Sequence, residues 1–103
     1  MTDTDAQEVV EKAIGKLFWH WKLNEEEARI LLGDKVETVE RQRQLLTIHR
    51  SLRLLYPKNP ELLYGWIKMR NRDFDNKRPI DLLTSEQNGF SDVVKYLNHK
   101  LFS

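Results

Sequence analysis

Apolar residues recur at three- and four-residue intervals along nearly the whole chain, and a two-residue alternation persists nowhere. That recurrence stacks side chains on one stripe of a helix, whereas a half-buried strand needs period two. The pattern restricts the fold to packed helices. Val9, Val10, Ala13, Ile14, Leu17, Phe18 and Trp21 mark a first helix over Ala6 to Trp21. Asn24, followed three residues on by Glu27, has the chemistry of a capping box, with Leu23 and Ala28 placed for a hydrophobic staple. Ala28, Leu31 and Leu32 give the short helix that follows an apolar edge, widened by Ile30, and Gly33 can end it. Asp34 then heads a third helix containing Val36, Val39, Gln42 and Arg43. The helical pattern runs on through Leu45, Ile48, Leu52 and Leu55, with Leu46 and Leu54 widening the buried face. Periodicity leaves open whether residues 35–55 form one long helix or two with a bend.

Tyr56 to Pro60 breaks this pattern. Asn59 as N-cap and Pro60 at the first helical position start another helix, carrying Leu62, Leu63, Trp66, Ile67 and Met69 and fading near Asn71 to Asp73. Pro79 starts a short helix with Ile80, Leu82 and Leu83, stopping before the Asn88–Gly89 pair. Ser91 can cap a last helix that buries Val93, Val94, Leu97 and Leu101. The fold class is all-α. A helix-turn-helix-like lobe occupies residues 1–55, its central helix continuing into a small helical lobe over 56–103.

Three Trp and four Phe in 103 residues, with 40% hydrophobic content, can supply one core for two such lobes. Cysteine is absent, so neither disulfides nor thiol chemistry is available, which suits a cytoplasmic protein. No apolar run approaches the roughly 20 residues that span a bilayer, and the opening MTDTDAQE is acidic where a signal peptide would be basic. Net charge is only +1, but residues 34–58 carry six basic against three acidic groups. This is a modest local bias toward phosphates.

Short capped helix, Gly33, then a polar helix: residues 24–43 have the proportions of a helix-turn-helix. The groups eligible to meet DNA are Lys35, Thr38, Arg41, Gln42 and Arg43, with Gln suited to adenine, Arg to guanine and Lys35 to a phosphate. Glu37 and Glu40 on the same helix, and Glu25 to Glu27 beside it, would repel the backbone unless they face away. The competing reading is a small helical packing motif. Arg50 and Arg53, three residues apart, read as a solvated, ion-paired face or as a docking face.

The stretch RNRDFDNKR, residues 70–78, lies between two helical patterns. Phe74, flanked by Asp73 and Asp75, must fold back into the core or face a partner. Asn71, Asp73, Asp75 and Asn76 have a calcium-loop flavour. However, the Gly and terminal Glu of such loops are missing, and Lys77 and Arg78 oppose a cation. The Asn and Asp side chains fit turn backbone groups better, and Arg70, Arg72, Lys77 and Arg78 could receive carboxylates or phosphates. His20, His49 and His99 show no metal-ligand spacing, and Ser85 and Ser91 lack a nucleophile-elbow pattern. No catalytic residue, metal site or cofactor is assigned.

In order and spacing, Trp66-Ile67, Asn71, Phe74, the run from Lys77 through Pro79 to Leu83, Gly89, Val93 and Leu97 resemble the toxin-binding domain of Xre/MbcA/ParS-like antitoxins (DUF2384-like). The resemblance covers about residues 44–101, and EEEARILLG at 25–33 looks like the degenerate Xre-type region that precedes this domain. It implies a cytoplasmic type II antitoxin that binds and occludes a RES-domain, NAD-consuming toxin, the NAD belonging to the toxin. It also implies self-association and, as the alternative function, operator DNA binding through residues 34–43. Under the resemblance Trp66, Ile67, Pro79, Leu82, Leu83, Gly89, Val93 and Leu97 are structural. Arg70, Asn71, Arg72, Phe74, Lys77 and Arg78 become toxin-contact candidates, together with the tail residues Leu101, Phe102 and Ser103. The ending HKLFS departs from the usual apolar-aromatic-Gly stretch, so the tail can either enter a toxin cleft or cap the core.

Overall fold

The local signals are realised as six helices in a computed structural model that describes residues 3–102: α1 Asp3–His20, α2 Glu25–Leu32, α3 Thr38–Leu55, α4 Pro60–Gly65, α5 Pro79–Ser85 and α6 Gly89–Phe102. Two single 3-10 turns, Trp66–Lys68 and Arg72–Phe74, lie between α4 and α5. Asn24 caps α2 reciprocally: its side chain accepts from the Glu27 N–H at 2.7 Å, and Glu27 accepts from the Asn24 N–H at 3.0 Å. Gly33, at φ 69°, ends that helix and donates to the Arg29 carbonyl. The Asn59 side chain accepts from the Leu62 N–H, with Pro60 at the start of α4.

Residues 38–55 form one continuous helix, which settles what periodicity left open. It starts later than Asp34. The Asp34 carboxylate takes the N–H groups of Val36 and Glu37, which holds residues 34–37 in a turn. Val36 is consequently 90% exposed, and Val39, in the first turn of the helix, is exposed as well. Gln42, Leu45, Ile48 and Leu52 form the buried stripe instead. Ser91 does not cap the last helix. The Asp92 N–H already bonds the Asn88 carbonyl, so α6 begins at Gly89 and Ser91 lies inside its first turn. Val9 and Met69 also stay outside the core.

A single apolar cluster runs through the molecule. Ile14, Leu17 and Trp21 of α1, Leu31 of α2 and the α3 stripe join Trp66, Ile67, Ile80, Leu82, Leu83, Phe90, Val93 and Leu97. Helix α3 is the shared wall, packing on α1, α2 and α6, while α5 closes against α6 and α2. The radius of gyration, 13.6 Å, matches the ~13 Å of one packed body of about 100 residues. Each Trp, Ile, Pro, Leu, Gly and Val position singled out as structural between Trp66 and Leu97 is buried.

Candidate protein-binding surface

The polar connector is a closed turn. Asn71 donates its N–H to the Lys77 carbonyl at 3.0 Å and accepts the Asn76 N–H at 2.9 Å, so the ends of the turn are tied together. Its side-chain oxygen also takes the Asp73 N–H at 2.9 Å, starting the 3-10 turn. Asp75 and Asn76 occupy left-handed backbone positions, at φ 55° and 67°. Among residues with a Cβ, Asp and Asn are the types that tolerate that region best. Asn71 therefore serves the turn backbone with its side chain, while Asp75 and Asn76 supply its left-handed positions.

What fixes the turn to the body is aromatic. Phe74 folds back, its ring 4.7 Å from Tyr96 and 6.4 Å from Trp66, and Tyr96 stacks on Trp66 at 6.1 Å. The Tyr96 hydroxyl donates to Asp73 at 2.8 Å and accepts from the Asn71 amide at 3.4 Å. Lys100, one turn further along α6, sits 5.5 Å from the Tyr96 ring centre. Sequence reading missed Tyr96. Its only local sign was an aromatic residue bordering the Val93–Leu97 stripe, three positions after Val93.

The contact candidates differ in their freedom. Arg72 is exposed and has no side-chain partner among the described residues. Lys77 is exposed and 3.4 Å from Glu86. Arg70 donates to the Asn76 carbonyl, which braces the turn. Arg78 is committed to a bidentate pair with Asp81, at 3.1 and 2.8 Å. Leu101 is half-buried, Phe102 is 85% exposed, and Ser103 lies outside the described residues. Phe102 is six residues past Tyr96 along α6, about 9 Å at helical rise, so the tail and the connector are separate features. A shallow groove of about 310 Å³ runs beside the connector, lined by Asp73, Phe74, Asp75 and Lys77 together with Glu86 and Asp92.

Asp81 also accepts the Arg78 N–H at 3.1 Å, closing the first turn of α5. The Arg78 hydrogen bond holds its carboxyl below the ordinary aspartate range, partly opposed by burial. Asp81→Ala is expected to lower stability near neutral pH by about 1 kcal/mol, chiefly through the lost cap, because half-exposed ion pairs add only tenths. A carboxyl depressed in the folded state stabilises above its unfolded pKa of about 3.9 and loses that contribution as pH falls through the folded value. The gap between the two proteins should close below that window, as urea titrations across pH would show.

The DNA candidates are largely spent on packing. Thr38 donates to the carbonyls of Leu32 and Asp34. Arg41 reaches the Ile30 carbonyl at 3.1 Å, pairs with Glu37 at 2.9 Å and lies 4.9 Å over the Phe90 ring. It thereby closes the carbonyl end of α2 and ties it to α6. Gln42 is 5% exposed and accepts from Gln7 at 3.4 Å. Its position three residues before Leu45 on the same stripe was the overlooked signal. Lys35 and Arg43 remain exposed, Arg43 with Glu40 at 2.6 Å. Of the Leu-rich middle, Leu45 and Leu52 are consumed by the core, while Leu54 stays exposed.

The fold is all-helical, with an ordered, mixed-charge turn on its surface. Among the described residues there is no group of three or more His, Cys, Asp or Glu that could hold a metal, and no helix is long and apolar enough to cross a membrane. Residues 51–99 match the model of the antitoxin Xre/MbcA/ParS C-terminal toxin-binding domain. The match begins inside α3 and ends within α6, so it takes in the connector and all three of its aromatic anchors. No curated protein and no solved structure matches the chain.

Proposed function

We propose that the chain is a type II antitoxin that occludes a RES-domain, NAD-consuming toxin, and that the connector over residues 70–78 is its principal contact surface. The observation that carries this is the pinning of an exposed, mixed-charge turn by Trp66, Phe74 and Tyr96. A surface held rigid before binding loses little entropy on docking. Arg72 and Lys77 are the cations it presents outward, and a carboxylate on the toxin would be the complement. The exposed Phe102 supplies a second, apolar contact at the far end of α6.

The competing DNA reading has only Lys35 and Arg43 left to offer from residues 34–43, and no observation favours it. The test is co-expression with a RES-domain toxin, followed by copurification and growth rescue. The native chain should copurify and rescue. Arg72→Glu with Lys77→Glu should weaken the complex by about 100-fold, the effect expected when central charged contacts are reversed. Rescue that is indifferent to the double reversal would remove the connector from the interface. Failure of the native chain to copurify would remove the RES-type partner.

A further inference from the structure

A groove of about 520 Å³ lies where α1, α3 and α4 meet and shares no lining residue with the connector groove. Lys16, His20, His49, Arg50, Arg53 and Tyr64 line it, and no acidic side chain does. Four other arginines, Arg29, Arg41, Arg43 and Arg78, each have a carboxylate within 4 Å. Lys16, Arg50 and Arg53 have no such partner among the described residues. Converging cations left without counter-charge repel one another, which an incoming anion relieves.

The wall of the groove is aromatic and ordered. His20 stacks on Tyr64 with centroids 4.0 Å apart and planes 12° from parallel, and His49 lies 6.0 Å from the same ring at 20°. The Nδ1 atom of His49 is buried and has no hydrogen-bond partner. Burial, Arg53 and His20 together hold the His49 pKa below the usual histidine value, consistent with a cationic neighbourhood that lacks an anion.

We propose that this groove binds a phosphate group carried by a small molecule, with Arg50, Arg53 and Lys16 neutralising its charge beside the imidazole of His49. A compact polyanion fits better than a nucleic-acid backbone because the cations gather around one concavity of small-ligand size. Arginine supplies the forked donors that phosphate oxygens accept. This site lies outside the toxin-contact reading and does not depend on it.

Pyrophosphate should be titrated into the full chain at constant ionic strength near neutral pH, following the ring carbon–proton signals of His20 and His49 by NMR. Saturable shifts with a Kd of about 1 mM or tighter are expected. The double variant Arg50→Gln, Arg53→Gln, checked for a native melt, should weaken binding by about tenfold or more. Lys58→Gln, an exposed cation outside the groove, should bind as the native chain does. Shifts that rise without saturation, or that survive the double arginine variant, would overturn the site. ADP in a parallel titration distinguishes a nucleotide, if it binds tighter, from a bare phosphate group, if it binds equally, and either outcome supports the site. Perturbation of the histidines by a short DNA duplex, but by neither pyrophosphate nor ADP, would refute the small-molecule assignment.

Discussion

Gly89→Ala is expected to destabilise the protein by about 3 kcal/mol, at the upper end of ordinary overpacking. The reason is not backbone freedom, because φ at this residue is not positive. A Cβ built on Gly89 would stand 1.8 Å from the Leu82 carbonyl oxygen and 2.5 Å from its carbon, with the Leu83 nitrogen at 3.1 Å. All three are main-chain atoms of α5, so no side chain can swing aside. The start of α6 would have to lift away from α5, opening the packing of Leu82, Leu83, Phe90 and Val93. For a domain whose total stability is about 5–15 kcal/mol, that loss should lower the melting temperature by about 10–20 °C. Circular-dichroism melts would show it. The control is Gly15→Ala, where a Cβ meets nothing within 4 Å and stability should hold or rise. A Gly89→Ala protein that melts like the native chain would mean that α5 and α6 can separate freely.

The same corner explains which features could be read in advance. The caps at Asn24, Asn59 and Pro79 were legible because they are sealed within three or four residues, where propensity and hydrogen-bond chemistry are local. The order of Trp66, Asn71, Pro79, Gly89 and Leu97 was legible as a family pattern, although why Gly89 must be glycine was not. Its constraint comes from α5 backbone seven residues away in sequence and touching in space. Ser91 misled because an N-cap chemistry was present one turn too late. Lys35, Thr38, Arg41, Gln42 and Arg43 read alike on the page, yet three of them hold α2, α3 and α1 together. The basic groove was invisible for the same reason: Lys16 and Tyr64 are 48 residues apart and meet only when α1 and α4 flank α3.

Trp66→Ala should act on the binding surface through the core. Trp66 is 7% exposed and supports both rings that pin the connector, with Phe74 edge-on at 6.4 Å and Tyr96 stacked at 6.1 Å. Truncating a buried Trp costs about 3–5 kcal/mol, from lost transfer energy and the cavity left behind. Here the cavity borders the closed turn, so the loss should not be shared evenly over the molecule. Without Trp66 the Phe74 ring loses one of its two aromatic walls, and the turn is held to α6 by the Phe74–Tyr96 ring contact and the Tyr96 hydroxyl hydrogen bonds. Hydrogen exchange should therefore quicken at the amides of Phe74, Asn76 and Lys77 more than at those of Ile48 and Leu52 in α3. Trp66→Phe, which keeps an aromatic face, should restore much of the protection. Toxin affinity should follow the connector's protection across native, Phe and Ala variants, since the surface is useful only while it is held in one shape. Equal acceleration at α3 and connector amides would show that Trp66 serves the core alone. In that case the rigidity of the recognition turn must come from its own hydrogen bonds.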